Sequence, residues 1–274
     1  MLDIRYESSA GVSVALNSGV YVGRPNDLFS REWDYKIGYR ALATASRGAR
    51  KVSFKAFFAD MAQADVFRRC ADADMQKGMP GTLRVEGWFQ RCFVVASEVD
   101  GIGSDFFAAK LTLVLLDGVW RRGHTVSFEP FTASSGDGEF LDLPYDLPYD
   151  LGAPSRQRYF DGPEWNDAPL RFIIYGPAVN PAIRIGGNWY KAELTVPEGG
   201  YLVIDPIAHP RSVTLVNMDG STIDMFAKAS RGEGLGSGEY IFQPTSPGTQ
   251  EVDWNGSFGF DVTWYEEEGE PAWS

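Results

Sequence analysis

Histidine and cysteine are scarce in this chain, with two of each among 274 residues. His124 and His209 stand apart in different halves, so no histidine-based triad can be assembled from neighbouring positions. Four soft ligands in all, without CxxC or HxxxH spacing, leave no pattern for structural zinc. Two cysteines cannot build a disulfide framework, and Cys70 and Cys92 read as core thiols, one on a helix and one on a strand. No run of roughly 18 apolar residues is present, which excludes a membrane-spanning helix by length. The opening MLDIRYESSAG has neither the basic start nor the apolar stretch of a secretory signal. The expectation is a product of the cell's cytoplasm that stays there or is packaged from there.

A cluster of basic residues is also missing. The net charge is −12, and phosphate recognition needs clustered Lys and Arg. The deficit is uneven. Residues 1–130 hold 17 Lys and Arg against 15 Asp and Glu, whereas residues 131–274 hold 8 against 22. The shift from +2 to −14 marks a boundary between two parts of different character.

Three local patterns invite chemistry and fail its requirements. GEGLGSG at 232–238 lacks the Lys and Ser/Thr of a phosphate loop and the strand and helix of a dinucleotide fold. MDGSTID at 218–224 has no closing Glu for a calcium loop, so a turn at Asp219-Gly220 is the simpler account. Glu266, Glu267, Glu268 and Glu270 form a run suited to a solvated face or tail rather than to a pair of carboxyls facing across a cleft. No catalytic residue, metal or cofactor is expected, and the chain reads as a non-enzyme.

What is present is β structure and aromatic side chains. Hydrophobic residues make up 44% and aromatic residues 14% of the chain, enough for folded cores and more than disordered chains carry. At this length two domains are the default. In the first half, VSVAL (12–16), VYVG (20–23), KVSFKAFF (51–58), TLRVEGWF (82–89), RCFVVASEV (91–99) and AKLTLVLLD (109–117) read as strands between turn residues. One helix interrupts them over 61–77. Asp60 can cap it, Gln63 occupies the capping-box position, and Gly78 and Pro80 end it, with Val66, Phe67, Cys70, Ala71 and Met75 as the inner face.

From 131 to 167, closely spaced prolines and glycines prevent any regular element from running far. The tandem LPYD repeat sets Tyr145 and Tyr149, and Asp146 and Asp150, four residues apart. Its prolines favour a stiff, extended linker. Beyond it come LRFIIYG (170–176), AIRIGG (182–187), WYKAELTV (189–196), YLVID (201–205), SVTLVN (212–217), EYIFQ (239–243) and GFDVTWYEE (259–267). They recur at the roughly 8–12-residue spacing of a sandwich or jelly roll, without a helix. Five of the eight tryptophans (Trp165, Trp189, Trp254, Trp264 and Trp273) lie in the second half. Trp189 and Trp254, each beside an Asn/Gly turn, are candidates for a sugar-stacking platform, against the commoner role of core packing.

The order of a β domain with one helix, a Tyr-Asp linker and a helix-free sandwich resembles the distal tail (Dit) proteins of siphophages. The resemblance is carried by GTLRVEGWFQRCFVVASEVD and AKLTLVLLDGVWRRG in the first part, by LPYDLPYDLG, and by IIYGPAVNPAIRIGGNWYKAEL, GGYLVIDP and FDVTWYEEEGEPAW in the second. It implies an all-β fold in three segments. Residues 1–130 would be a ring-forming, sandwich- or barrel-like domain with one helix, 131–167 the linker, and 168–274 a galectin-like sandwich. The implied role is a virion structural protein at the tail tip, a homo-hexameric ring joining the tail tube protein to the tip hub, with DNA passing through its lumen unread. Further partners would be a receptor-binding protein or a host glycan. The alternative from another class is a carbohydrate-binding adhesion module acting through the second sandwich, and an enzyme acting on wall polymer ranks third.

Overall fold

A computed structural model describes residues 3–17, 27–102, 107–131 and 158–272. The expected strand at 20–23 and the linker residues Tyr145, Asp146, Tyr149 and Asp150 lie outside these, as does Trp273. The protein is predominantly β, with one α-helix among the described residues, and it divides into two units. The first comprises Met1–Arg122 together with Glu267–Ser274, and the second is Gly123–Glu266.

In the first unit the strands are β1 (Ile4–Glu7), β2 (Ser13–Ala15), β3 (Asp34–Ile37), β4 (Leu42–Ser46) and β5 (Arg50–Phe58). Helix α1 (Met61–Lys77) follows, then β6 (Gly81–Val85), β7 (Trp88–Ile102), β8 (Phe107–Leu115) and β9 (Trp120–Phe128), whose first residues belong here. Antiparallel pairing runs β2–β1–β6–β7–β8–β5. A parallel bridge from Asn17 to Phe57 links the two ends, closing a small barrel. Its interior follows from strand alternation: Val52, Phe54, Ala56 and Phe58 of β5 point inward with Leu111, Leu113 and Leu115 of β8, around Trp88 and Trp120.

The TLRVEGWF stretch is not one strand. Glu86 and Gly87 both have positive φ (49° and 83°), which makes them a two-residue hairpin loop of the kind whose twist suits flanking strands. The next strand therefore starts at Trp88, and two bulges along it bend it around the barrel.

Helix α1 has the expected bounds. The Asp60 carboxylate accepts from Gln63 N at 2.7 Å, Gln63 Oε1 accepts from Ala59 N at 2.8 Å, and Gly78 closes the helix at φ 65°. Its buried stripe is rotated from the hydropathy pattern. Phe67, Ala71 and Asp74 face the barrel, while Val66 and Met75 are exposed and Cys70 is half-buried. The correction comes from Asp74, a carboxylate that is buried because donors meet it there. Cys92, on β7, is fully buried.

The second unit is a two-sheet sandwich. After β9 come β10 (Tyr159–Asp161), β11 (Leu170–Tyr175), β12 (Ala178–Val179), β13 (Ala182–Ile185), β14 (Asn188–Lys191), β15 (Thr195–Val196), β16 (Tyr201–Asp205), β17 (Ser212–Val216), β18 (Thr222–Asp224), β19 (Thr249–Asp253) and β20 (Phe260–Glu268). One sheet has the order β18–β17–β16–β11–β20–β9, the other β10–β19–β13–β14, with β12–β15 as a separate pair. Phe172, Ile174, Leu202, Ile204 and Val213 of the first sheet meet Ile183, Ile185, Tyr190 and Val252 of the second in a single core. The expected strand at 239–243 is instead a turn, with Gln243 N donating to Tyr240 O at 3.0 Å. Ile241 and Phe242 are both buried, and successive residues of a flat strand cannot share one face. A 3-10 turn at Phe226–Lys228 adds the unit's one helical element among the described residues.

Candidate assembly surface

Hairpin β3–β4 departs from the rest of the first unit. Its register pairs Tyr35 with Ala45 and Ile37 with Leu42, with a bulge between Lys36 and Ile37, and every residue of both strands is exposed. Among the described residues it pairs with no other strand. Its apolar side chains are open to solvent: Ile37 is 77% exposed, Tyr39 88% and Leu42 64%. At the base, the Arg47 guanidinium lies over the Trp33 ring at 4.1 Å, which holds the hairpin's root. At the tip, Gly38 N donates to Ala41 O at 2.8 Å, and Arg40 adopts φ 63°.

A two-stranded hairpin is marginal in water on its own, and clustered exposed apolar groups with open edges mark a surface meant to be covered. Burying a side chain such as Ile or Leu here would contribute about 1.5–3 kcal/mol each. The signal was present in the sequence as the alternation Asp34-Tyr35-Lys36-Ile37, but the element is short and has no buried partner to flank it.

The two candidate tryptophans have different surroundings. Trp254 is 8% exposed, its indole nitrogen donates to Phe258 O at 3.1 Å, and its ring packs edge-on against Phe128 and Phe260, so the ring is committed to the core. Trp189 is half-buried on β14, with the Arg184 and Lys191 cations at 5.8 and 5.0 Å from its ring. His124 and His209 both fall in the second unit. The Asp219-Gly220 turn is as expected, with Gly220 at φ 80° and the Ser221 hydroxyl holding the Asp219 carboxyl below its usual range.

The glutamate run is not a solvated tail. Glu266, Glu267 and Glu268 end β20 and the run is half-buried, with Glu266 accepting from His124 and Glu267 from Arg121. Among the described residues no group of three or more His, Cys, Asp or Glu could hold a metal ion.

The chain aligns over 98% of its length with a chain of the phage P2 baseplate in its activated conformation with calcium, covering 99% of that chain, with a TM-score of 0.62 at 10% identity. The strontium form of the same baseplate gives a TM-score of 0.60 at 11% identity and the same coverage. The Dit protein of phage SPP1, a hub adsorption protein of a phage infecting Gram-positive hosts, aligns over the same shares with a TM-score of 0.49 at 10% identity. No family model matches the sequence, and no curated protein matches it. The likeness is one of fold: this all-β chain shares its architecture with a phage baseplate protein from end to end.

Proposed function

We propose that the chain is a structural protein of a phage tail tip, a distal tail protein that assembles with copies of itself. The observation that carries this reading is the fold match to a baseplate chain across nearly the whole of both proteins. In this reading the first unit joins six copies into a ring between the tail tube and the tip hub, with DNA passing through unread. The second unit is a galectin-like sandwich facing away from the axis.

Two further observations support it. Hairpin β3–β4 offers apolar side chains and open edges to a neighbouring subunit, where edge pairing supplies backbone hydrogen bonds and a closed ring leaves no edge free. The charge imbalance suits the same geometry. Six strongly acidic domains repel one another near an axis, but at a rim they sit beyond the roughly 8 Å screening length of physiological salt.

Light scattering coupled to size-exclusion chromatography, followed by negative-stain imaging, tests the reading. The full chain at tens of micromolar is expected to form closed rings, and Ile37→Asp combined with Leu42→Asp is expected to leave folded monomer. A chain that stays monomeric at every concentration, or rings that survive the double substitution, would overturn the assignment of the joining surface.

A further inference from the structure

The sequence holds a single Asn-Gly pair, Asn255-Gly256, in the turn between β19 and β20 of the second unit. Asn255 and Ser257 are exposed. Asn255 Oδ1 accepts twice, from Ser257 N at 3.0 Å and from the Ser257 hydroxyl at 2.7 Å. Gly256 adopts φ 76°, and its carbonyl accepts from Phe131 N at 2.7 Å. A Cβ at this position would lie 2.6 Å from Phe131 O, so the turn requires glycine for close approach as well as for its backbone angle. Nothing therefore shields the Gly256 nitrogen from the amide beside it.

We propose that Asn255 is a self-modifying site, at which the side-chain amide reacts with the Gly256 backbone nitrogen and Ser257 promotes the reaction. The Gly256 nitrogen gives its proton to hydroxide and bonds to Asn255 Cγ, while Oδ1 takes up the negative charge. Both Ser257 donors are already aimed at that oxygen, as the donors of an oxyanion hole are. The Cγ–Nδ2 bond then breaks, and the nitrogen takes a proton from water and leaves as ammonia. Water opens the resulting succinimide at either carbonyl, giving aspartate or isoaspartate. Asp219-Gly220-Ser221 repeats the arrangement, with Ser221 N and its hydroxyl at 2.8 and 2.6 Å from Asp219 Oδ1. There the same bonds hold the carboxyl below its usual range and keep it ionised, and a carboxylate resists a nucleophile. One turn geometry thus activates an amide and protects an acid. Isoaspartate at 255 would lengthen the backbone between Trp254, whose indole donates to Phe258 O at 3.1 Å, and Gly256, which holds Phe131.

Peptide mapping by mass spectrometry tests this, on the full chain incubated at mildly alkaline pH beside a synthetic peptide spanning residues 251–260. Asn255 is expected to convert to a mixture of aspartate and isoaspartate in the folded chain no more slowly than in the peptide, and Asp219 to stay unchanged. Ser257→Ala is expected to slow the folded chain about three- to tenfold and to leave the peptide's rate as it was; the effect is smaller than in an enclosed oxyanion hole because this turn is open to water. Slower conversion in the folded chain than in the peptide would overturn the proposal, since the fold would then protect the pair. A Ser257→Ala chain that converts as fast as the intact one, or isoaspartate forming at Asp219 as readily as at Asn255, would overturn it too. None of these results bears on the assembly reading.

Discussion

Asp74 shows how a single carboxylate organises the first unit. On α1 and 2% exposed, it accepts from the Tyr6 hydroxyl at 2.5 Å and from Ser9 through both its backbone N–H at 3.2 Å and its hydroxyl at 2.5 Å. Burial pushes the Tyr6 phenol far above its usual range, and the bond to Asp74 pushes it further in the same direction. Asp74→Ala strands a buried hydroxyl and frees the Ser9 turn. It is expected to cost about 2–3 kcal/mol in urea unfolding, read as a lower midpoint at unchanged slope, against about 1 kcal/mol for Tyr6→Phe. Gly81 belongs to the same arrangement. A methyl group there would sit 2.5 Å from Tyr6 Cζ and 2.7 Å from Cε2, so Gly81→Ala must displace a fully buried ring that Asp74 holds. A loss of about 1–3 kcal/mol is expected, and a neutral effect would show that the ring is free to move. Hydropathy hid this cluster because it counts an aspartate as a surface residue whatever donors surround it.

At the scale of elements, hairpin β3–β4 makes a sharp claim. Since neither of its faces is buried, replacing Tyr35–Ala45 by a short Gly-Ser link is expected to leave the monomer's melting temperature within about 2 °C of the intact chain's, a shift well under 1 kcal/mol. Calorimetry under monomeric conditions checks this, and a large drop would mean that the hairpin has a partner within its own unit. Helix α1 was legible because its boundaries are chemical: an Asp that caps, a Gly that takes positive φ, a Pro that stops the chain. The turn at 240–243 was not legible, because a short apolar run reads alike whether its side chains alternate or curl inward together. The His124–Trp264 pair was the least legible feature, since the two rings are brought side by side only by the pairing of β9 with β20.

On the scale of the whole molecule, both chain ends belong to the first unit, and the second is an insertion. The chain leaves through β9 and returns through β20. The return is anchored by Arg121, 12% exposed in its side chain, which donates to Glu267 Oε1 at 2.7 Å and lies beside the buried Asp117, itself paired with Arg91. Ala272 packs against the first core, and Gly269 lies against Arg31 and Arg47. Ending the chain at Glu266 is therefore expected to destabilise the first unit and spare the second. Two-stage thermal unfolding followed by near-UV dichroism should show the first unit's transition moving down by several degrees, and a shift confined to the second unit would contradict the division. The contrast in charge and the Pro/Gly-rich interval raised the expectation of two parts, and the chain passes between its two units within β9 and again within β20. That the last residues rejoin the first part was not visible, because a Glu-rich terminus gives no sign of the arginine waiting for it.

The inserted arrangement bears on how the chain withstands proteolysis. Because the second unit is spliced into the first at two points, one proteolytic nick between them cannot shed it, and a foreign sandwich could be exchanged for it by joining at the same two strands without altering either terminus.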